Sequence, residues 1–88
     1  MIHLLKIRQC FADPVLSGKK SFEVRYNADR GFQKGDKVRF SVVDEKGETR
    51  NHPLNREVFI ITYVLSGYGL QPDYVAFGIR KVGDENGT

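Results

Sequence analysis

Gly18-Lys19-Lys20-Ser21-Phe22-Glu23-Val24-Arg25-Tyr26 switches from a helical to an alternating pattern at its first glycine, and that switch decides the fold. From Ser21 to Tyr26 apolar and polar residues alternate, which predicts a strand with Phe22, Val24 and Tyr26 on the core face and Ser21, Glu23 and Arg25 on the other. Phe11 to Ser17, just before the glycine, read as a helix of one or two turns. Asp13 is its N-cap, Pro14 its first helical residue and Gly18 its stop. A helix that short is unstable alone, so Phe11, Val15 and Leu16 are expected to pin it against a sheet.

Outward from this segment the chain is strand after strand. His3 to Arg8 alternate, with Leu5 and Ile7 on one face and Lys6 and Arg8 on the other. Asn27 to Gly31 form a turn, Phe32 is an apolar anchor, and Lys34-Gly35-Asp36 turn again. Lys37 to Asp44 place Val38, Phe40 and Val42 inward and Arg39 and Ser41 outward, and Glu45-Lys46-Gly47-Glu48 suit a hairpin turn. Thr49 to Arg56 break the pattern. Val58 to Leu65 are apolar on both faces, as a central strand requires. Ser66 to Asp73 are a glycine-rich loop, and Tyr74 to Val82 a last strand in which Gly78 marks a bulge or a close backbone approach. Nothing has βαβ spacing. The expected fold is mainly β with one or two short helices, a small, strongly bent sheet or partly closed barrel over residues 1–82, with a frayed polar tail over 83–88.

Eighty-eight residues hold one domain. The single cysteine excludes an internal disulfide, so apolar packing must carry the fold. Cys10 is expected to be a buried small hydrophobe. With His3 and His52 the only histidines, no metal-ligand spacing exists, and no cofactor is implied. No apolar run reaches a membrane span and no signal peptide opens the chain, so the expected setting is the cytoplasm. Fourteen basic against eleven acidic residues give +3, but residues 1–40 carry nine against four, a net +5, and residues 41–88 carry five against seven, a net −2. The first half can present a positive face to an anionic partner, or simply keep a small protein soluble.

The densest polar cluster is again Lys20, Glu23 and Arg25. Glu23 can orient either cation toward an anionic ligand; Lys20 is a point donor and Arg25 a planar fork suited to phosphate or a base edge. This stretch, with NADRGF and KGD behind it, an opening HLLKI strand and a closing YVAFGI strand, resembles the ASCH domain family of the PUA-like superfamily, in its small bacterial and phage-type, DUF3850-like branch. The resemblance implies a barrel-like fold with a cleft beside a GxKxxExR segment, where relatives are thought to bind RNA or a nucleotide-like ligand. The motif falls on Gly18, Lys20, Glu23 and Arg25, with Phe22, Gly35 and Asp36 as structural positions and Asn27 and Arg30 as the turn of this branch. Lys6 and Arg8 extend the surface if the first strand lies beside it, and Tyr68 is a candidate for stacking on a base. Some ASCH proteins resemble amide hydrolases acting on acylated cytidine, with a catalytic lysine that matches Lys20. Glu23 stands where they carry a threonine, and their helical insertion is absent. The leading expectation is therefore an RNA-binding module; a nucleoside amide hydrolase using Lys20 and Glu23 and a protein-interaction adaptor are the alternatives. Monomer and weak homodimer both remain open.

Overall fold

The structure, a computed structural model, describes residues 1–83, so the expected frayed tail lies almost wholly outside the described residues. Its elements run β1 (Ile2–Arg8), α1 (Gln9–Leu16), β2 (Phe22–Tyr26), β3 (Lys37–Val43), a 3-10 turn (Pro53–Arg56), β4 (Val58–Ser66) and β5 (Tyr74–Lys81). The five strands form one sheet in the order β1-β3-β4-β5-β2, with β1 parallel to β3 and the other neighbours antiparallel. It curls into a half-barrel: the guanidinium of Arg25 on β2 reaches the Lys6 carbonyl on β1 at 2.9 Å, and that of Arg30 reaches the Leu4 carbonyl at 3.3 Å. The two edge strands thus face each other and are tied by side chains where a closed barrel would have a ladder.

The concave side holds the core. Leu5 and Ile7 of β1, Val38, Phe40 and Val42 of β3, Phe59 and Ile61 of β4, and Val75, Phe77 and Ile79 of β5 all point there, as period-two alternation demands. Phe40 meets Phe59 edge to face, with ring centroids 5.5 Å apart. Phe32, arriving from the β2–β3 connection, packs between Phe77 and His3 at centroid distances of 4.8 and 4.6 Å. Gly78 sits where β4 bulges between Ile61 and Tyr63. A Cβ there would lie 2.6 Å from Thr62 Oγ1, so the approach is close but is made by the side chain of the bulge residue and not by backbone, whose nearest atom, the Ser21 carbonyl oxygen, is at 3.9 Å.

Three expectations are corrected. Phe22, Val24 and Tyr26 are exposed, and the opposite face of β2 turns inward, with Glu23 buried and Arg25 half-buried. Only β5 flanks β2, and its inner side looks onto the gap between the two edges; a carboxylate with two cations can occupy that position where an unpaired one could not. The helix begins at Gln9, with Arg8 as an N-cap that makes no side-chain bond, and Pro14 lies inside it. Burial of Ala12 and Val15 fixes the helical register, while Asp13 is taken by His52. Cys10 is exposed, on the side of α1 away from those two residues. Gly18 does end the helix, at φ +85, with its N–H on the Val15 carbonyl.

His52 is a strut between distant segments. Its Nδ1 accepts from the Leu54 N–H at 3.0 Å, so Nε2 carries the hydrogen and donates to Asp13 Oδ1 at 2.8 Å, across 39 residues of sequence. The first bond caps the 3-10 turn that seats buried Leu54, and the second ties that turn to α1. His52→Ala is expected to lose about 1–2 kcal/mol, read as a lower urea midpoint with unchanged slope; an unchanged midpoint contradicts the strut.

Asp36, one of the positions expected to be structural, anchors the start of β3. Its Oδ2 accepts from His3 Nε2 at 2.8 Å and from the Gln33 N–H at 3.2 Å. The His3 hydrogen bond, helped by the Gln33 N–H and the chain's N-terminal charge and opposed by desolvation, holds its carboxyl below the usual 3.8. Because the folded value is the depressed one, the carboxylate's contribution is present above the unfolded value of 3.8 and disappears as pH falls through the folded value. The urea midpoints of wild type and Asp36→Asn should therefore converge as pH falls through that lowered value. A gap that stays constant into strong acid assigns the stabilisation elsewhere.

Candidate functional site

The edge-to-edge gap holds a cleft of about 360 Å³, lined by Lys6, Ile7, Arg8 and Phe11 on one side and by Lys20 and Phe22–Arg25 on the other. Two backbone devices aim its cations. The end of α1 places Lys20, whose N–H donates to the Pro14 carbonyl at 3.0 Å. The β2–β5 ladder then sets Glu23 opposite Phe77 and Arg25 opposite Val75, so both side chains point inward.

At 3 % exposure Glu23 is as buried as the core, and both of its oxygens are used. Oε2 accepts from the Lys20 ammonium in a short contact, and Oε1 accepts from Arg25 Nε at 2.9 Å. Lys20 also donates to the Phe22 carbonyl at 2.7 Å, and Arg25 to that of Lys6. The carboxylate thus sits at the bottom with an ammonium and a guanidinium fixed on either side, each still about a quarter exposed. Two half-exposed rings complete the mouth: the Lys20 ammonium lies 5.0 Å from the centroid of Phe22 and 5.8 Å from that of Phe11. Nucleophilic attack by Lys20 would require its nitrogen to surrender the bonds it donates to two oxygens.

Of the residues singled out from the sequence, Lys6, Arg8, Lys20, Glu23 and Arg25 meet in this cleft. Asn27, Arg30 and Tyr68 do not line it. Asn27 Oδ1 accepts from the Phe32 N–H at 2.8 Å and its N–H donates to the Asp73 carbonyl, so it braces the turn that delivers Phe32. Arg30 is committed to the β1 edge. Tyr68 stands 92 % exposed on a run of three left-handed residues, Gly67, Tyr68 and Gly69, in the β4–β5 loop at the far end of β2 from Lys20. Sequence reasoning passed over Phe11 and Phe22 as ligand-facing groups because each was assigned to the core; their flanking positions around GKK were the available signal.

A half-barrel with a cation-lined cleft between unpaired edges defines a small single-sheet β domain. Its residues 2–79 match the family model described as "Domain of unknown function (DUF3850)", and the chain belongs to that family. No curated protein matches it.

Proposed function

We propose that the protein is a noncatalytic RNA-binding module whose cleft receives a phosphate or base edge of a nucleotide. One observation carries this reading: a buried carboxylate fixes an ammonium and a guanidinium at the mouth of a cleft flanked by two half-exposed phenylalanine rings. Fixed cations suit phosphate, and aromatic walls suit a splayed base. Four cations, Lys6, Arg8, Lys20 and Arg25, stand around one carboxylate, so an anion entering the cleft meets net positive charge. The resemblance of the sequence to ASCH domains of the PUA-like superfamily supports the same ligand class.

Lys6 and Arg8 are the residues to change, because both are exposed and neither side chain holds Glu23. Lys6→Glu with Arg8→Glu is expected to weaken RNA binding at least tenfold and to flatten its salt dependence, with the thermal transition near wild type. RNA affinity that survives this change in a folded protein removes the cleft from the binding surface.

A further inference from the structure

The outward face of the sheet has a composition that solubility does not explain. β2 presents Phe22, Val24 and Tyr26 there; β5 presents Tyr74, Ala76 and Gly78; β4 presents Tyr63 and Leu65. Register sets them in rows, Phe22–Gly78–Tyr63 and Val24–Ala76–Leu65, with Tyr26 beside Tyr74 at 5.5 Å between centroids. Phe22, Val24, Tyr26, Tyr63 and Leu65 are 51, 47, 49, 64 and 37 % exposed. Toward β3 the same face continues into Lys37 and Arg39, both exposed, through the pairs Lys37–Ile60 and Arg39–Val58. No outward position on the five strands is acidic; Glu23, the one strand carboxylate, points inward.

We infer that this face is a second binding surface, on which single-stranded nucleic acid lays its bases against Phe22, Tyr26 and Tyr63 and its phosphates against Lys37 and Arg39. Stacking requires exposed ring faces on a rigid support, and a β-sheet supplies one with rings rooted about 5–10 Å apart across neighbouring strands. A polyanion avoids carboxylates, and the outward positions of the strands themselves carry none. A second copy of the chain is less well suited. Area does not decide this, because the face runs on through exposed Ile2 and Leu4 of β1, beside Lys37 and Arg39; charge does. A second copy would bring the same cations, Lys37 and Arg39, and no outward strand carboxylate to meet them. Gly78, between Phe22 and Tyr63 in its row, has no side chain to add to the face. Phe22 borders the cleft as well, so one strand can run from the cleft onto the sheet.

The test is fluorescence anisotropy of a fluorescein-labelled 12-nucleotide oligouridylate with the full chain. Tyr26→Ala with Tyr63→Ala should weaken binding at least tenfold. Tyr26→Phe with Tyr63→Phe should restore it, and Lys37→Gln with Arg39→Gln should lower the salt slope by about two phosphate contacts. Should the alanine pair fail to fold, the unaltered chain still decides: it has four tyrosines and no tryptophan, so stacking must quench its tyrosine emission as oligouridylate saturates. Absence of quenching, unchanged affinity in the folded alanine pair, equal binding of duplex RNA, or a wild-type dimer that Tyr63→Ala dissociates each overturns the inference. Loss of affinity in Lys6→Glu with Arg8→Glu but not in the tyrosine variants leaves the cleft standing and the outer face refuted. The reverse pattern upholds the outer face and refutes the cleft.

Discussion

Glu23→Leu should destabilise the protein by about 2–4 kcal/mol and abolish the proposed binding in the cleft. The loss comes less from the carboxylate than from what it leaves behind. Lys20 and Arg25 are about three-quarters buried, and without Glu23 they face each other as like charges across a half-closed cleft. Removing one partner of a buried ion cluster costs about 3–5 kcal/mol; the residual exposure of both cations lets water reach them and reduces that figure. Glu23→Gln should fall about halfway, because its amide oxygen can still accept from Arg25 while its amide nitrogen can give Lys20 nothing. The diagnostic variant replaces all three residues by methionine. With no charge left to strand, most of the stability should return, short of wild type by the Arg25 bond to the Lys6 carbonyl that closes the sheet, while ligand binding stays lost. Urea midpoints across the four proteins separate the two roles. A Glu23→Leu protein as stable as wild type shows that the two cations rely on water rather than on the carboxylate.

The same cluster explains which parts of the sequence were legible. β3 is flanked on both sides, so its inner face has to be apolar, and the alternation of Val38, Phe40 and Val42 admits one reading. β2 has the same period, but its hydrophobic set faces solvent, because an alternating pattern states which residues share a face and not which face is covered. For an edge strand beside a cleft, charge pairing settles that choice. Lys20, Glu23 and Arg25 were visible as a cluster, and their mutual neutralisation was the clue that the cluster can be buried. Gly78 could be read as special without its partner, since Thr62 reaches it only through pairing between β4 and β5. The Asp13–His52 bond was not legible at all. It joins segments 39 residues apart, and local capping rules assigned Asp13 to the helix beside it.

Phe77→Ala is the core change with the largest expected effect, about 3–5 kcal/mol, which for a domain of this size lowers the melting temperature by roughly 15–30 °C. Phe77 is 2 % exposed, lies opposite Glu23 in the β2–β5 ladder and packs its ring against Phe32. Phe32 in turn meets the His3 ring at a tilt of 52°, and His3 holds Asp36, so one ring supports a line of contacts from β5 to the start of β3. The cavity left by alanine therefore opens behind the cleft and not in the middle of the barrel. β2 depends on that support because Phe77 lies beside it in the ladder and, as an edge strand, it has a ladder on one side, with Arg25 and the following Arg30 reaching β1 across the other. Its amides should exchange with solvent faster than those of β3 and β4 in the variant, and cleft binding should fail at temperatures where the rest of the sheet is still folded. Phe77→Leu keeps most of the volume and should cost about 1–1.5 kcal/mol, with β2 protected. Uniform loss of protection across all five strands in Phe77→Ala makes the half-barrel a single cooperative unit, and the side-chain ties between its edges then hold as firmly as a ladder.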